Sequence, residues 1–177
     1  FSESTGKTTL ARRLVEHYDA VWVPEFVRDY AAKKSSPIGF ADHGPIALGQ
    51  IALEDERQAE AAERGATLVV QDTDLLSTVV YCRHYFGSCP DWIELAAAGR
   101  RPDLYLLLDI DLPWIPDPVP DRGHLREEMQ ALFREEVEHS GVPNVTIRGD
   151  GDARLAAARD AIETGLPAGR LRGINKI

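Results

Sequence analysis

Two short runs of unbroken apolar residues constrain the fold of this chain more than anything else in it. Residues 68–70 and 104–108 show no alternation of polar and apolar positions. That is the pattern of strands buried on both faces, and such strands belong to parallel sheets sandwiched between helices. Each run closes in aspartates, Asp72 and Asp74 after the first, Asp109 and Asp111 after the second. In an open parallel sheet the ligand crevice lies beyond the carboxyl ends of the strands, so these acids mark the functional edge.

The start of the sequence, SESTGKTTLARRLVEHY, indicates what such an edge would hold. Gly6 lets the backbone turn its N–H groups inward on phosphate oxygens, and the positive end of the helix that follows points at the same place. Lys7 adds a mobile cation for the β- and γ-phosphates, and the Thr8 hydroxyl can complete the coordination of Mg²⁺. Ser4, Thr5, Gly6, Lys7, Thr8 and Thr9 form the candidate nucleotide-binding loop. Thr8 and Asp72 form the candidate metal pair, with Asp72 in the place of a Walker B acid or acting on an acceptor hydroxyl. Leu10, Leu14 and then His17 or Tyr18 continue at helical spacing. The full pattern asks for a glycine five residues before Gly6. Phe1 stands there, and no hydrophobic strand precedes the loop. A loop without that glycine, a sequence that starts late, and a glycine lost between Phe1 and Ser2 are the three readings.

The remaining elements alternate strand and helix. Val21, Trp22 and Val23 read as a short buried strand leading into EFVRDYAAKK, a helix with Glu25 and Arg28 at its start, where an acceptor would lie; a plain helix-start ion pair fits equally. Residues 35–45 form a polar connection. IALGQIALEDERQAEAAERG is an amphipathic helix ending at Gly65, its charges read as a solvated face. Asp74 fits either an acceptor contact or an N-cap for the helix that runs to Gly87. Tyr85 and Trp92 are candidates for stacking on a planar ring, against an ordinary place in the core. After the second apolar run, a Pro-rich stretch with Trp114 and Asp117 leads to Arg122 and Arg126 at the head of another helix. Residues 112–126 read as a lid whose arginines neutralise charge on a transferred phosphoryl group, rather than pairing with Glu127 or Glu128. VPNVTIRGD reads as a last core strand, with Gly149 and Asp150 at its end, where this architecture cradles a nucleotide base. Residues 166–177 show no clear period and read as a loosely held tail.

With 177 residues, 44% of them hydrophobic, the chain reads as one domain with a sizeable core. A formal net charge of −9 argues against a nonspecific nucleic-acid binder. Cys82 and Cys89 fit no disulfide framework or zinc spacing and read as free thiols. No transmembrane span or signal peptide is apparent, so no membrane partner and a cytoplasmic location are expected. A small-molecule partner is expected, and a homo-oligomer stays open.

The expected fold is therefore an α/β P-loop NTPase, a three-layer sandwich of parallel sheet and helices with a lid, built like nucleoside and nucleotide kinases. The blocks ESTGKTTLARRL, VPEFVRDY, QDTDLLSTVVYCRHYFGSCPDW and DLYLLLDIDLPWIPD go further. Across residues 2 to about 160 the chain resembles the ribosylnicotinamide kinase domain of the NadR family. The resemblance implies ATP- and Mg²⁺-dependent phosphorylation of the 5′-hydroxyl of nicotinamide riboside. It implies Lys7 and Thr8 at the triphosphate and metal, and Asp72 in metal or base work. It also implies Glu25, Arg28, Asp74, Trp92, Trp114 and Asp117 around the nucleoside, with Arg122 and Arg126 in the lid. A cationic pyridinium ring would suit the tryptophans. The chain departs from the family pattern at the first loop glycine and at Pro118 and Pro120, where the family shows glycine and then arginine. The rival readings are a kinase for another nucleoside or metabolite, and a regulatory ATP-binding module.

Overall fold

The computed structural model describes residues 6–111, 126–166 and 172–176. Helix α1 (Lys7–Tyr18) leads to strand β1 (Val21–Val23), helix α2 (Phe26–Lys33), a 3-10 turn at Phe40–Asp42 and the long helix α3 (His43–Arg64). Strand β2 (Leu68–Gln71), helices α4 (Leu75–Phe86) and α5 (Asp91–Gly99) and strand β3 (Leu104–Leu108) follow. Helix α6 (Arg126–Ser140), strand β4 (Asn144–Ile147), helix α7 (Gly151–Gly165) and strand β5 (Arg172–Lys176) complete the order. The strands form one parallel sheet in the order β1-β2-β5-β3-β4.

The two apolar runs behave as their pattern demands. Every residue of β2 and of β3 is buried, and the pleat sends alternate residues to opposite faces. Leu68, Val70, Leu104, Leu106 and Leu108 pack with Leu10, Ala11 and Leu14 of α1 and with Ala158, Ala161 and Ile162 of α7. On the other face Tyr105 and Leu107 meet Val80 of α4 and Met129, Phe133 and Val137 of α6. Val69 and the β1 valines meet Ala61 of α3 there too. Each large apolar side chain taken fully from water contributes about 1.5–3 kcal/mol, so these layers supply most of the driving force. A further cluster joins α3, α4 and α5 through Ala47, Leu75, Val79, Cys82, Cys89 and Ile93. Both cysteines are free and buried, and burial pushes the Cys89 thiol up to about 12.

Helix α3 lies unusually close to α2. A Cβ on Gly49 would fall inside the Phe26 ring, so this position requires a residue without a side chain. That approach brings the start of α2 against the middle of α3.

Two expectations need correction. Residues 172–176 are not a loose tail. They form β5, paired on one side with β2, where Val70 faces Ile174, and on the other with β3, where Leu104 faces Ile174. Arg, Gly, Asn and Lys give little strand signal on their own; the two ladders set the conformation. The strand read as the last core strand, β4, is neither last nor central. It lies at the sheet edge, with Asn144 and Val145 exposed and only Ile147 fully buried. Among the described residues no helix is long and apolar enough to cross a membrane.

Candidate active site

Gly6 sits in the left-handed region at φ 73° and caps the N-terminus of α1. Its carbonyl accepts from Leu10 N–H at 2.9 Å, starting the helix at once. Lys7, Thr8 and Thr9 therefore occupy the first turn of α1, beside the N–H groups that have no intrahelical acceptor. Thr8 Oγ1 donates to Asp72 Oδ2 at 2.8 Å. Asp72 is 4% exposed, and its Oδ1 is buried with no hydrogen-bond partner among the described residues. A buried carboxylate oxygen with nothing to satisfy it is costly, and a hard cation held between it and the Thr8 hydroxyl would satisfy it. The Thr8 and Asp72 oxygens thus suit Mg²⁺, which takes one or two carboxylates and completes its shell with phosphate and water. No group of three or more acidic, histidine or cysteine ligands occurs among the described residues.

Asp72 N–H donates to Val23 O at 2.9 Å, so the ends of β1 and β2 are level. Two residues beyond Val23, Glu25 stands at the N-terminus of α2 and is 8% exposed. Arg28 Nε donates to Glu25 Oε2 at 2.7 Å, while its own side chain is about half exposed. The carboxylate thus lies inward with the arginine over it.

Gln50 holds this region together, and the sequence reading did not single it out. It is 2% exposed. Its Oε1 accepts from Phe26 N–H at 3.0 Å, and its Nε2 donates to Thr73 O and to Glu54 Oε1, both at 3.3 Å. One amide therefore joins the start of α2, next to Glu25, to the residue after Asp72. Glu54 is itself 3% exposed, which corrects the reading of the α3 charges as a solvated face. Burial drives its pKa up to about 7, Asp74 adds to the rise, and Arg100 and Gln50 pull against it. Arg100 Nε donates to Glu54 Oε2 at 3.0 Å.

A signal for both residues was present in the sequence. The buried positions of α3 include Ile46, Ala47, Gln50, Glu54 and Ala61, so Gln50 and Glu54 lie on the apolar stripe itself. A polar residue on a core stripe needs a partner inside.

Asp74 adopts the capping role. One carboxylate oxygen accepts from Leu76 N–H at 3.0 Å and the other from Tyr105 OH at 2.7 Å. Burial and the Asp74 charge both raise the Tyr105 pKa, so this phenol stays a donor. Tyr85 is 50% exposed and Trp92 42% exposed. Tyr85 stacks on Tyr81 with ring centroids 6.2 Å apart, and Trp92 lies over Gly44.

The second group of predicted residues gathers across the sheet, at the ends of β3 and β4. Gly149 has φ +87°, a conformation glycine adopts without strain, and Asp150 caps α7. Asp109 accepts from Arg148 Nε at 2.8 Å, which holds its carboxyl below the usual range. Gly149 N–H donates to Asp111 Oδ2 at 2.7 Å. Arg126 opens α6. Its Nε and Nη2 are buried with no hydrogen-bond partner among the described residues, so it is not spent on Glu127 or Glu128. Ser4, Thr5, Trp114, Asp117 and Arg122 lie outside the described residues.

A loop glycine, a Lys-Thr helix start and a core-strand aspartate bonded to that threonine form the P-loop arrangement. The sequence matches the AAA domain family over residues 2–154. The chain belongs to that family. It is also similar to two curated proteins, each named trifunctional NAD biosynthesis/regulator protein NadR. The Escherichia coli (strain K12) protein is 28% identical over 160 residues and the Salmonella typhimurium (strain LT2) protein 26%. In each case the match covers 86% of this chain and 38% of the relative. The chain thus corresponds to well under half the length of either relative. The AAA domain match agrees with the parallel sheet and flanking helices seen here, and residues 2–154 contain all four blocks on which the NadR resemblance rests.

Proposed function

We propose that this chain is an ATP- and Mg²⁺-dependent kinase that phosphorylates the 5′-hydroxyl of nicotinamide riboside, giving nicotinamide mononucleotide. The observation that supports the kinase reading is the hydrogen bond from Thr8 to Asp72, with the second Asp72 oxygen buried and without a hydrogen-bond partner among the described residues. The relatives are named for a role in NAD biosynthesis, which supports the choice of acceptor.

In this reading the N–H groups at the start of α1 and the Lys7 ammonium bind the β- and γ-phosphates. Thr8 and Asp72 hold Mg²⁺, which when bound neutralises charge on the phosphate oxygens. Glu25, buried at the end of β1, orients the acceptor hydroxyl and takes its proton. The acceptor oxygen forms its bond to the γ-phosphorus as the bond to the β-phosphate oxygen breaks, and ADP leaves. Arg126, with Arg122 in the predicted lid, stabilises the transferred group. Arg28 covers Glu25 and sets the approach of the nucleoside. Trp92, Trp114, Asp117 and Tyr85 remain candidates for contacts to its ring and ribose. A kinase supplied with Mg-ATP and a salvaged nucleoside would work in the cytoplasm.

The test is product formation from nicotinamide riboside and Mg-ATP beside a panel of ordinary nucleosides. Selective formation of nicotinamide mononucleotide is expected. A product from a different nucleoside would keep the kinase and replace the acceptor. Mg-ATP binding with no product from any acceptor would replace the kinase by a regulatory ATP-binding module.

A further inference from the structure

Arg154 is a buried arginine in a helix whose other buried residues are Ala158, Ala161 and Ile162. It continues that apolar stripe one turn toward the N-terminus of α7, a place where a guanidinium is costly unless its donors are used. The residue is 3% exposed. Its Nε donates to Gly149 O at 2.6 Å and its Nη2 to Asp109 O at 3.3 Å. The same Nη2 forms an ion pair with the Asp111 carboxylate. Asp111 in turn accepts from Gly149 N–H. Both main-chain polar groups of Gly149 are thus held, one directly by Arg154 and one through Asp111. Gly149 N–H and C=O are fixed at a residue whose φ of +87° would otherwise leave the turn free to move.

We infer that Arg154 is a positioning residue for the donor nucleotide: it fixes the turn at residues 148–150 against the end of β3, so that the turn is preorganised to read the purine base. The inference rests on the kinase reading for its donor and goes beyond it in assigning the base selectivity to a side chain that cannot itself reach solvent. This guanidinium joins two strand ends, that of β3 at Asp109 and Asp111 and that of β4 at Gly149. A turn held in its bound shape loses little freedom when the base arrives, and that saving appears as affinity. A loosened turn could shift its N–H and C=O groups to suit another base, so selectivity falls with affinity.

The experiment uses the full chain with Arg154→Lys, Arg154→Gln and Asp111→Asn. Calorimetry measures Mg-ATP and Mg-GTP binding, and steady-state kinetics give separate KM values for nucleotide and acceptor. For Arg154→Gln, Mg-ATP affinity should fall about tenfold, the loss of roughly one good charge-assisted hydrogen bond. The ATP-to-GTP preference should shrink with it, and the nucleotide KM should rise far more than the acceptor KM. Arg154→Lys should recover part of the preference. Asp111→Asn, at a more exposed position, should move the same ratio in the same direction by less. A variant that loses melting temperature while keeping the wild-type ATP-to-GTP ratio would overturn the inference, as would equal rises in both KM values. If no acceptor yields product, the binding ratio still decides the matter. If the wild type does not bind Mg-ATP, the donor assignment and this inference both fall.

Discussion

The proposed acceptor side and the proposed base side of this sheet edge are built on different principles. Around Glu25 and Asp72 the polar groups are buried and joined by hydrogen bonds through Gln50, with Glu54 and Arg100 behind. Around Gly149 only Arg154 is buried, and the carboxylates and the second arginine that tie the turns lie nearer the surface, with Arg148 73% and Asp111 32% exposed in their side chains. Buried networks are unforgiving, because each lost partner leaves a desolvated group behind. Exposed ion pairs are forgiving, because water replaces whatever is removed. The acceptor side should therefore respond to substitution in stability and rate together, and the base side mainly in affinity.

The largest effect lies between the two regions. Lys7→Ala should lower kcat by roughly 10²–10³-fold, the usual cost of removing one positioned charge from a developing anion. The circular dichroism spectrum and melting temperature should stay near those of the wild type. A Lys7→Ala enzyme with near-normal turnover would remove the phosphate loop from the mechanism.

Gln50→Leu should come next. It leaves Phe26 N–H, Thr73 O and one oxygen of Glu54 without their partner, at a cost of about 2–4 kcal/mol in unfolding free energy. Denaturant titration measures that loss, and the surviving enzyme should show a raised KM for acceptor rather than for ATP. A change confined to the ATP KM would erase the distinction between the two sides.

Glu54 gives the acceptor side a pH signature. Its folded pKa of about 7 lies above the ordinary glutamate value, so the folded protein holds this proton more tightly than the unfolded chain does. The resulting stabilisation is fully present below about pH 4.3, the unfolded value, and is lost as pH rises toward and through 7. Glu54→Gln should flatten the fall in melting temperature between pH 5 and pH 8 by a few degrees. An unchanged slope would show that Glu54 is ionised in the fold.

The smallest effect belongs to the base side. Arg148→Ala removes an exposed partner of Asp109 and should leave the melting temperature close to that of the wild type, with any small loss vanishing in high salt. A loss comparable with that of Gln50→Leu would mean the base side is no more tolerant than the acceptor side.

These contrasts also explain how far the sequence could be read. The apolar runs at β2 and β3 declared a doubly covered parallel sheet. The Gly6-Lys7-Thr8 start predicted an acid opposite Thr8, and Asp72 is there. Asp74 had two readings because a carboxylate at a helix start looks the same whether it caps or binds; only Tyr105, far along the chain, shows where its second oxygen goes. Gln50, Glu54 and Arg154 are harder to see, because a polar residue in a helix declares its burial only through the apolar positions that share its face. Strand β5 was illegible for a different reason. Its conformation comes from neighbours on both sides and hardly at all from its own residues.

That strand has a consequence for how the site comes into being. Strands β1 and β2, with Glu25 and Asp72, form one half of the sheet; strands β3 and β4, with Asp109 and Gly149, form the other. Among the described residues the backbone ladders between the halves run through β5, which pairs Leu68 with Arg172 and Leu104 with Ile174. Contacts between residues so distant along the chain carry a high loop-closure entropy and tend to form late. During refolding, the two halves can gain their own hydrogen-exchange protection before the seam between them closes. Catalytic competence would then lag behind secondary structure, appearing only when the central ladder has zipped.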